Sequence, residues 1–140
     1  MRAALQAGAA YFAVVFAAGF ALGTLRVLVL VPRLGEAAVL LELPVMLALS
    51  WLACGRLLRR FAVPGGLRPR LLMAGTAFAL LMAAELGLSA LAFGRSVAQH
   101  VALWGTWPGA LGLAAQLAFA SFPLVRNRAP PGRAAAGDAE

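Results

Sequence analysis

Between Thr24 and Met46 the sequence TLRVLVLVPRLGEAAVLLELPVM sets Arg26 inside one apolar run, turns at Pro32-Arg33-Leu34-Gly35, and sets Glu42 inside the next. An isolated charge at the centre of a bilayer costs on the order of 2.5–3.5 kcal/mol on the insertion scale, so such residues pair or line water. The stretch therefore predicts two apolar helices joined by a short hairpin, with a base and an acid at matching depth. Composition points the same way. The 140 residues are 63% hydrophobic and 12% charged, whereas soluble domains carry about a quarter charged residues.

The charge balance is +7, and every basic residue is an arginine. These arginines stand at the ends of apolar segments, which directs them to anionic lipid headgroups and away from nucleic acid. Cys54 is the only cysteine, so an internal disulfide and a CxxC metal or redox motif are excluded. No metal and no cofactor is expected. The apolar stretch that follows Arg2 is about 25 residues, longer than the 7–15 of a signal-peptide core, and predicts a retained first span.

The expected fold is an all-α membrane protein, a bundle of four transmembrane helices over about 7–31, 36–54, 71–93 and 108–125, with residues 126–140 as a disordered cytoplasmic tail. Tyr11 suits the interface at the start of the first span. Gly19 and Gly23 form a GxxxG pair that lets a neighbouring backbone approach, and Arg26 follows on the same face. Pro32 ends that helix. In the second span Pro44 removes one backbone hydrogen bond and frees the carbonyl of Leu40, bending the helix or shaping a small cavity. Pro64-Gly65-Gly66 breaks the long connection. Trp104, Trp107 and His100 suit an interfacial belt in the stretch from Gly94 to Gly105, and Pro108 suits the first turn of the last helix.

Arginine placement sets the orientation. Arg2, Arg56, Arg59, Arg60, Arg68, Arg70, Arg126, Arg128 and Arg133 fall on one side, and Arg33 and Arg95 on the other, which places both termini in the cytoplasm. Depth can then be compared across helices. Arg26 and Glu42 each lie about 9 Å in from the outer end of their helix, and Glu85 about 12 Å, at 1.5 Å per residue. The three are expected to share one cluster in the outer half. Ser89 and Gln116 extend it by interhelical hydrogen bonds, and His100, the single histidine, is a weaker accessory candidate.

The run GTLRVLVLVPRLGE, followed by LELPVML and by AEL in the third span, resembles a group of small four-span bacterial membrane proteins. The resemblance runs from about Tyr11 to Val125 and takes in Arg26, Pro32, Arg33, Gly35, Glu42, Pro44 and Glu85. It implies an inner-membrane, multi-pass architecture and no particular chemistry, since the group has no assigned activity.

Two readings of function follow. In the first, Arg26, Glu42 and Glu85 are a polar clamp that fixes helix register in a small non-enzymatic membrane component, an accessory subunit that forms a homo-oligomer or joins a larger complex. In the second they handle protons or ions, and Glu42 and Glu85 titrate in a small coupled transporter or channel. A membrane-embedded enzyme is not expected, because the sequence shows no nucleophile–base pair, metal cluster or nucleotide loop.

Overall fold

A computed structural model describes residues 1–126; the expected tail, 126–140, lies outside the described residues except for Arg126. Within them the chain is all-helical, with no strand. Helix α1 (Arg2–Leu25) leads into a π-helical turn (Arg26–Leu30), a short α2 (Val31–Leu34) and a 3-10 turn (Gly35–Ala38). Then come α3 (Val39–Arg60), α4 (Leu67–Phe93), the short α5 (Val97–Ala102), a 3-10 turn (Leu103–Gly105) and α6 (Trp107–Val125). Three continuous helical stretches, Arg2–Arg60, Leu67–Phe93 and Trp107–Val125, are long and apolar enough to cross a membrane.

The first of these stretches doubles back at Gly35, whose φ of 61° is open to glycine and strained for other residues. Pro32 does not end the helix as expected. The chain stays helical through Leu34 because the preceding turn is widened: the N–H of Val31 bonds the carbonyl of Arg26, five residues back. A proline ring collides with the carbonyl four residues before it in a regular α-helix, and a π turn relieves that crowding.

α1 packs against both α3 and α4, and α6 packs against the same two. The α1–α3 pair is antiparallel, since Gly19 lies against Met46 and Gly23 against Glu42. The α1–α4 pair is parallel and closest at Gly8, where a Cβ would stand 2.7 Å from the Met73 carbonyl oxygen and 2.9 Å from Thr76 Cβ. The close crossing expected of Gly19 and Gly23 is therefore made by Gly8. A methyl at Gly19 would meet only the flexible end of Met46, and one at Gly23 would find ordinary contact with Glu42. The usable signal was the Ala4–Gly8 pair, a small-xxx-small spacing one helix turn long.

Call the end carrying Arg2, Arg56, Arg59, Arg60, Arg68, Arg70 and Arg126 the basic end, and the other the hairpin end. The apolar core fills the basic half: Ala4, Ala7, Tyr11 and Val15 meet Cys54, Leu58, Met73, Ala77, Leu81 and Phe119. Tyr11 is fully buried here, not interfacial. Its ring stacks on Phe119 with centroids 4.3 Å apart, and its hydroxyl donates to the Phe119 carbonyl at 3.0 Å. That carbonyl is the one Pro123, lacking an N–H four residues later, leaves without a helical partner. A phenol has an apolar body and a polar tip, and the interior of this bundle satisfies both.

Candidate functional site

Polar side chains collect in the hairpin half. Nε of Arg26 donates to Oε2 of Glu42, the single ion pair among the described residues. Glu42 is the better covered of the two, with 15% of its side chain exposed against 32% for Arg26. The local geometry explains the match. Glu42 lies beside Gly23, where the missing side chain leaves room for a carboxylate along α1, and Arg26 follows one turn later on the same face. Pro44 lies inside α3, which continues unbroken through it.

Glu85 is not part of this pair. Its two carboxylate oxygens accept from the side-chain amide of Gln116 at 2.7 and 2.8 Å, joining α4 to α6. Depth is not what separates the acids. Taking Gly8 beside Met73 as the register, Arg26 stands about 9 Å nearer the hairpin end than Glu85 at 1.5 Å per residue. The Trp51–Phe122 contact likewise puts Glu42 only about 4.5 Å beyond the level of Gln116 by the same rise. The separation is lateral. α4 packs on α1 and α6, and Glu42 belongs to α3, across the bundle.

The accessory residues named from sequence gather around Glu85. Ser89 stands one turn further along the same helix and is 4% exposed. His100, on α5, is within electrostatic reach of Glu85, and its ring lies edge-on to Trp104 at 5.9 Å. Ser89 Oγ, His100 Nδ1 and Gln116 Oε1 are all buried without a hydrogen-bond partner in the protein. The helix that carries His100 was read as a plain connection. Its signal was a capping box: the Ser96 hydroxyl accepts from Gln99 N–H at 3.2 Å, and the Gln99 side chain accepts from Ser96 N–H at 2.9 Å.

At the basic end Arg126, expected to open the tail, is pinned to α3. Its guanidinium lies over the Trp51 ring at 4.6 Å and donates to the Trp51 carbonyl, packed onto Gly55, where any side chain would displace it. Arg70, 6% exposed, donates to the Pro64 carbonyl at 3.2 Å and to the Arg126 carbonyl at 3.4 Å. These two arginines tie the α3–α4 connection to the end of α6. Between α4 and α6 an apolar groove of about 320 Å³, floored by Ala74, Gly75 and Ala120, opens outward; Glu85 is not in its lining.

Comparison with protein-family models, with curated proteins and with solved structures returns no match. The functional reading rests on the geometry.

Proposed function

We propose that this chain is an integral membrane protein of the bacterial inner membrane, its four long helices crossing the bilayer with the basic end in the cytoplasm. We further propose that it serves as a small non-enzymatic component, packing with itself or within a larger membrane complex. One observation carries the membrane reading. The long helices all turn large apolar side chains outward: Phe20, Leu41, Leu91 and Leu117 are each more than half exposed. Water does not tolerate so continuous an apolar exterior on a monomer, and lipid does. The clustering of seven arginines at one end supports the orientation, and the resemblance to small four-span bacterial proteins agrees with it.

The accessory role is supported by the interhelical side-chain contacts and by the outer groove. Arg26 is answered by Glu42 and Glu85 by Gln116, and the groove between α4 and α6 offers an apolar surface of small residues. Recovery from native membranes in mild detergent tests this, with self-association or a co-purifying membrane partner expected. A monomer that always runs alone would count against it. Orientation is tested separately by single cysteines in a Cys54→Ala background. A cysteine at Arg95 should react with an impermeant thiol reagent from outside, and one at Gly65 only after the membrane is opened; the reverse pattern would invert the topology.

One observation favours the second reading, a proton- or ion-coupled transporter: the orphaned polar atoms around Glu85. That reading requires ion flux through reconstituted vesicles, lost in Glu85→Gln.

A further inference from the structure

We infer that Glu85, Ser89, His100 and Gln116 form one site for an exchangeable proton, held with water near the hairpin end of α4 and α6. The inference goes beyond the accessory role proposed above and rests on the membrane placement proposed there.

The argument begins with what the four groups lack. Glu85 has no cationic partner among the described residues, because the one guanidinium of the hairpin half that faces an acid is taken by Glu42. Gln116 donates to both Glu85 oxygens, and a neutral amide does not cancel a full negative charge. A carboxylate in an apolar setting is then neutralised by a proton or by a bound cation. Three further polar atoms, on three different elements, are buried and unpartnered: Gln116 Oε1 on the amide that holds Glu85, Ser89 Oγ one turn along α4 from Glu85, and His100 Nδ1 on α5, within electrostatic reach of Glu85. Native structures leave few such atoms empty, and a cluster of them marks an unseen water or ion.

The chemistry of the four atoms selects the occupant. Gln116 Oε1 can only accept, Ser89 Oγ does both, and the His100 ring nitrogen accepts or donates according to its tautomer. The occupant must therefore donate at least to the amide oxygen and serve the other two either way, as water carrying a shared proton does. A metal cation is disfavoured because the amide N–H group of Gln116 already sits across the two carboxylate oxygens, where such an ion would bind. His100 supplies the route. Its imidazole can both take up and give back a proton, and it stands on the short helix that follows α4 at the hairpin end. A proton from the surface at that end is taken by the imidazole, passed through water and received by the Glu85 carboxylate; release runs the same path backward. The other charged groups of this half are accounted for. Arg26 and Glu42 are paired across α1 and α3, Arg95 lies over the Phe93 ring at 4.7 Å, and Arg33 and Glu36 stand on the hairpin turn.

The test uses the full-length protein in lipid vesicles, treated with a lipid-soluble carbodiimide, which couples to protonated carboxyls, and read by peptide mass spectrometry. Glu85 should be modified in acid, with labelling falling more than about tenfold as the pH at the hairpin side is raised, while Glu42 stays unlabelled throughout. His100→Gln should slow the response of Glu85 to a sudden pH change without altering the plateau. Labelling of Glu85 that is absent at every pH, or that does not change with pH, overturns the assignment. So does protection by sodium ions at constant pH, which would make this a metal-cation site. The wild-type series decides the matter even where the His100 variant fails to fold. The cysteine labelling described above, run on the same vesicles, tells a failure of this site from a failure of the membrane reading.

Discussion

The two halves of this molecule hold together by different means. In the basic half, Gly8 lets α1 settle onto the backbone of α4, and Tyr11, Met73, Cys54 and Phe119 fill the space around that crossing. In the hairpin half, Ala38 and Ser89 are the only buried positions among the described residues beyond Val15, Ser50 and Leu81, and the helices are joined by Arg26–Glu42 on one side and Glu85–Gln116 on the other. The basic half joins a close-packed core to side chains that bond backbone carbonyls, those of Tyr11, Arg70 and Arg126, whereas the hairpin half relies on side chains that bond one another. The contrast teaches that where backbones come close polar side chains answer the backbone, and where they part polar side chains must pair among themselves.

If that contrast is correct, the largest single loss should come from the hairpin half. Arg26→Leu strands the half-buried Glu42 carboxylate and should destabilise by about 3 kcal/mol, the upper end for an unsatisfied polar group because this one is charged. Adding Glu42→Gln should recover part of the loss in thermal unfolding of the detergent-solubilised protein; strictly additive losses would reject the pairing.

Next in size is the basic half. Gly8→Ala forces a methyl against Met73 backbone and should cost about 1–3 kcal/mol as overpacking, whereas Gly23→Ala, which meets only ordinary contact, should change stability by less than about 0.5 kcal/mol. Equal effects at the two glycines would erase the distinction between the halves. Glu85→Gln keeps a hydrogen bond to Gln116 and should shift stability by less than about 1 kcal/mol, since membrane interhelical hydrogen bonds average about 0.6. A loss as large as that of Arg26→Leu would show the second polar contact to be an equal anchor.

The smallest effect sharpens the comparison at the α3–α4 connection. Val63 N–H bonds Leu58 carbonyl at 3.0 Å and Ala62 N–H bonds Arg59 carbonyl at 3.2 Å, a helix stop of the Schellman type whose left-handed position is occupied by Ala62 at φ 47°. Ala62→Gly relieves that strain and should raise stability by up to about 1 kcal/mol. An unchanged or lowered melting point would mean that the turn is not under strain.

How much of this could be read from residues alone follows from the same geometry. Arg26 and Glu42 were legible because a tight turn fixes the pairing on either side of it: equal distances from the turn place two residues at one level on adjacent helices. Glu85 was legible in depth and not in neighbour. Counting residues from a helix end gives height, but nothing in the sequence of α4 says whether α1, α3 or α6 lies on a given side. Ser89, Gln116 and His100 were named as companions of the charged trio; the structure brings them to Glu85 alone. Tyr11 was misplaced because its amphipathic ring fits an interface and an interior equally well, and the deciding fact, the carbonyl freed by Pro123, lies on another helix.

That last contact has a consequence for how the bundle is assembled. A helix with a proline near its end carries one carbonyl oxygen with no partner in its own ladder, and in α6 the group that answers it belongs to α1. Until α1 is in place, α6 has nowhere to settle that part of its backbone; once the two dock, a single phenol latches them together. Tyr11→Phe should therefore leave each helix intact while slowing the closure of the last one onto the rest.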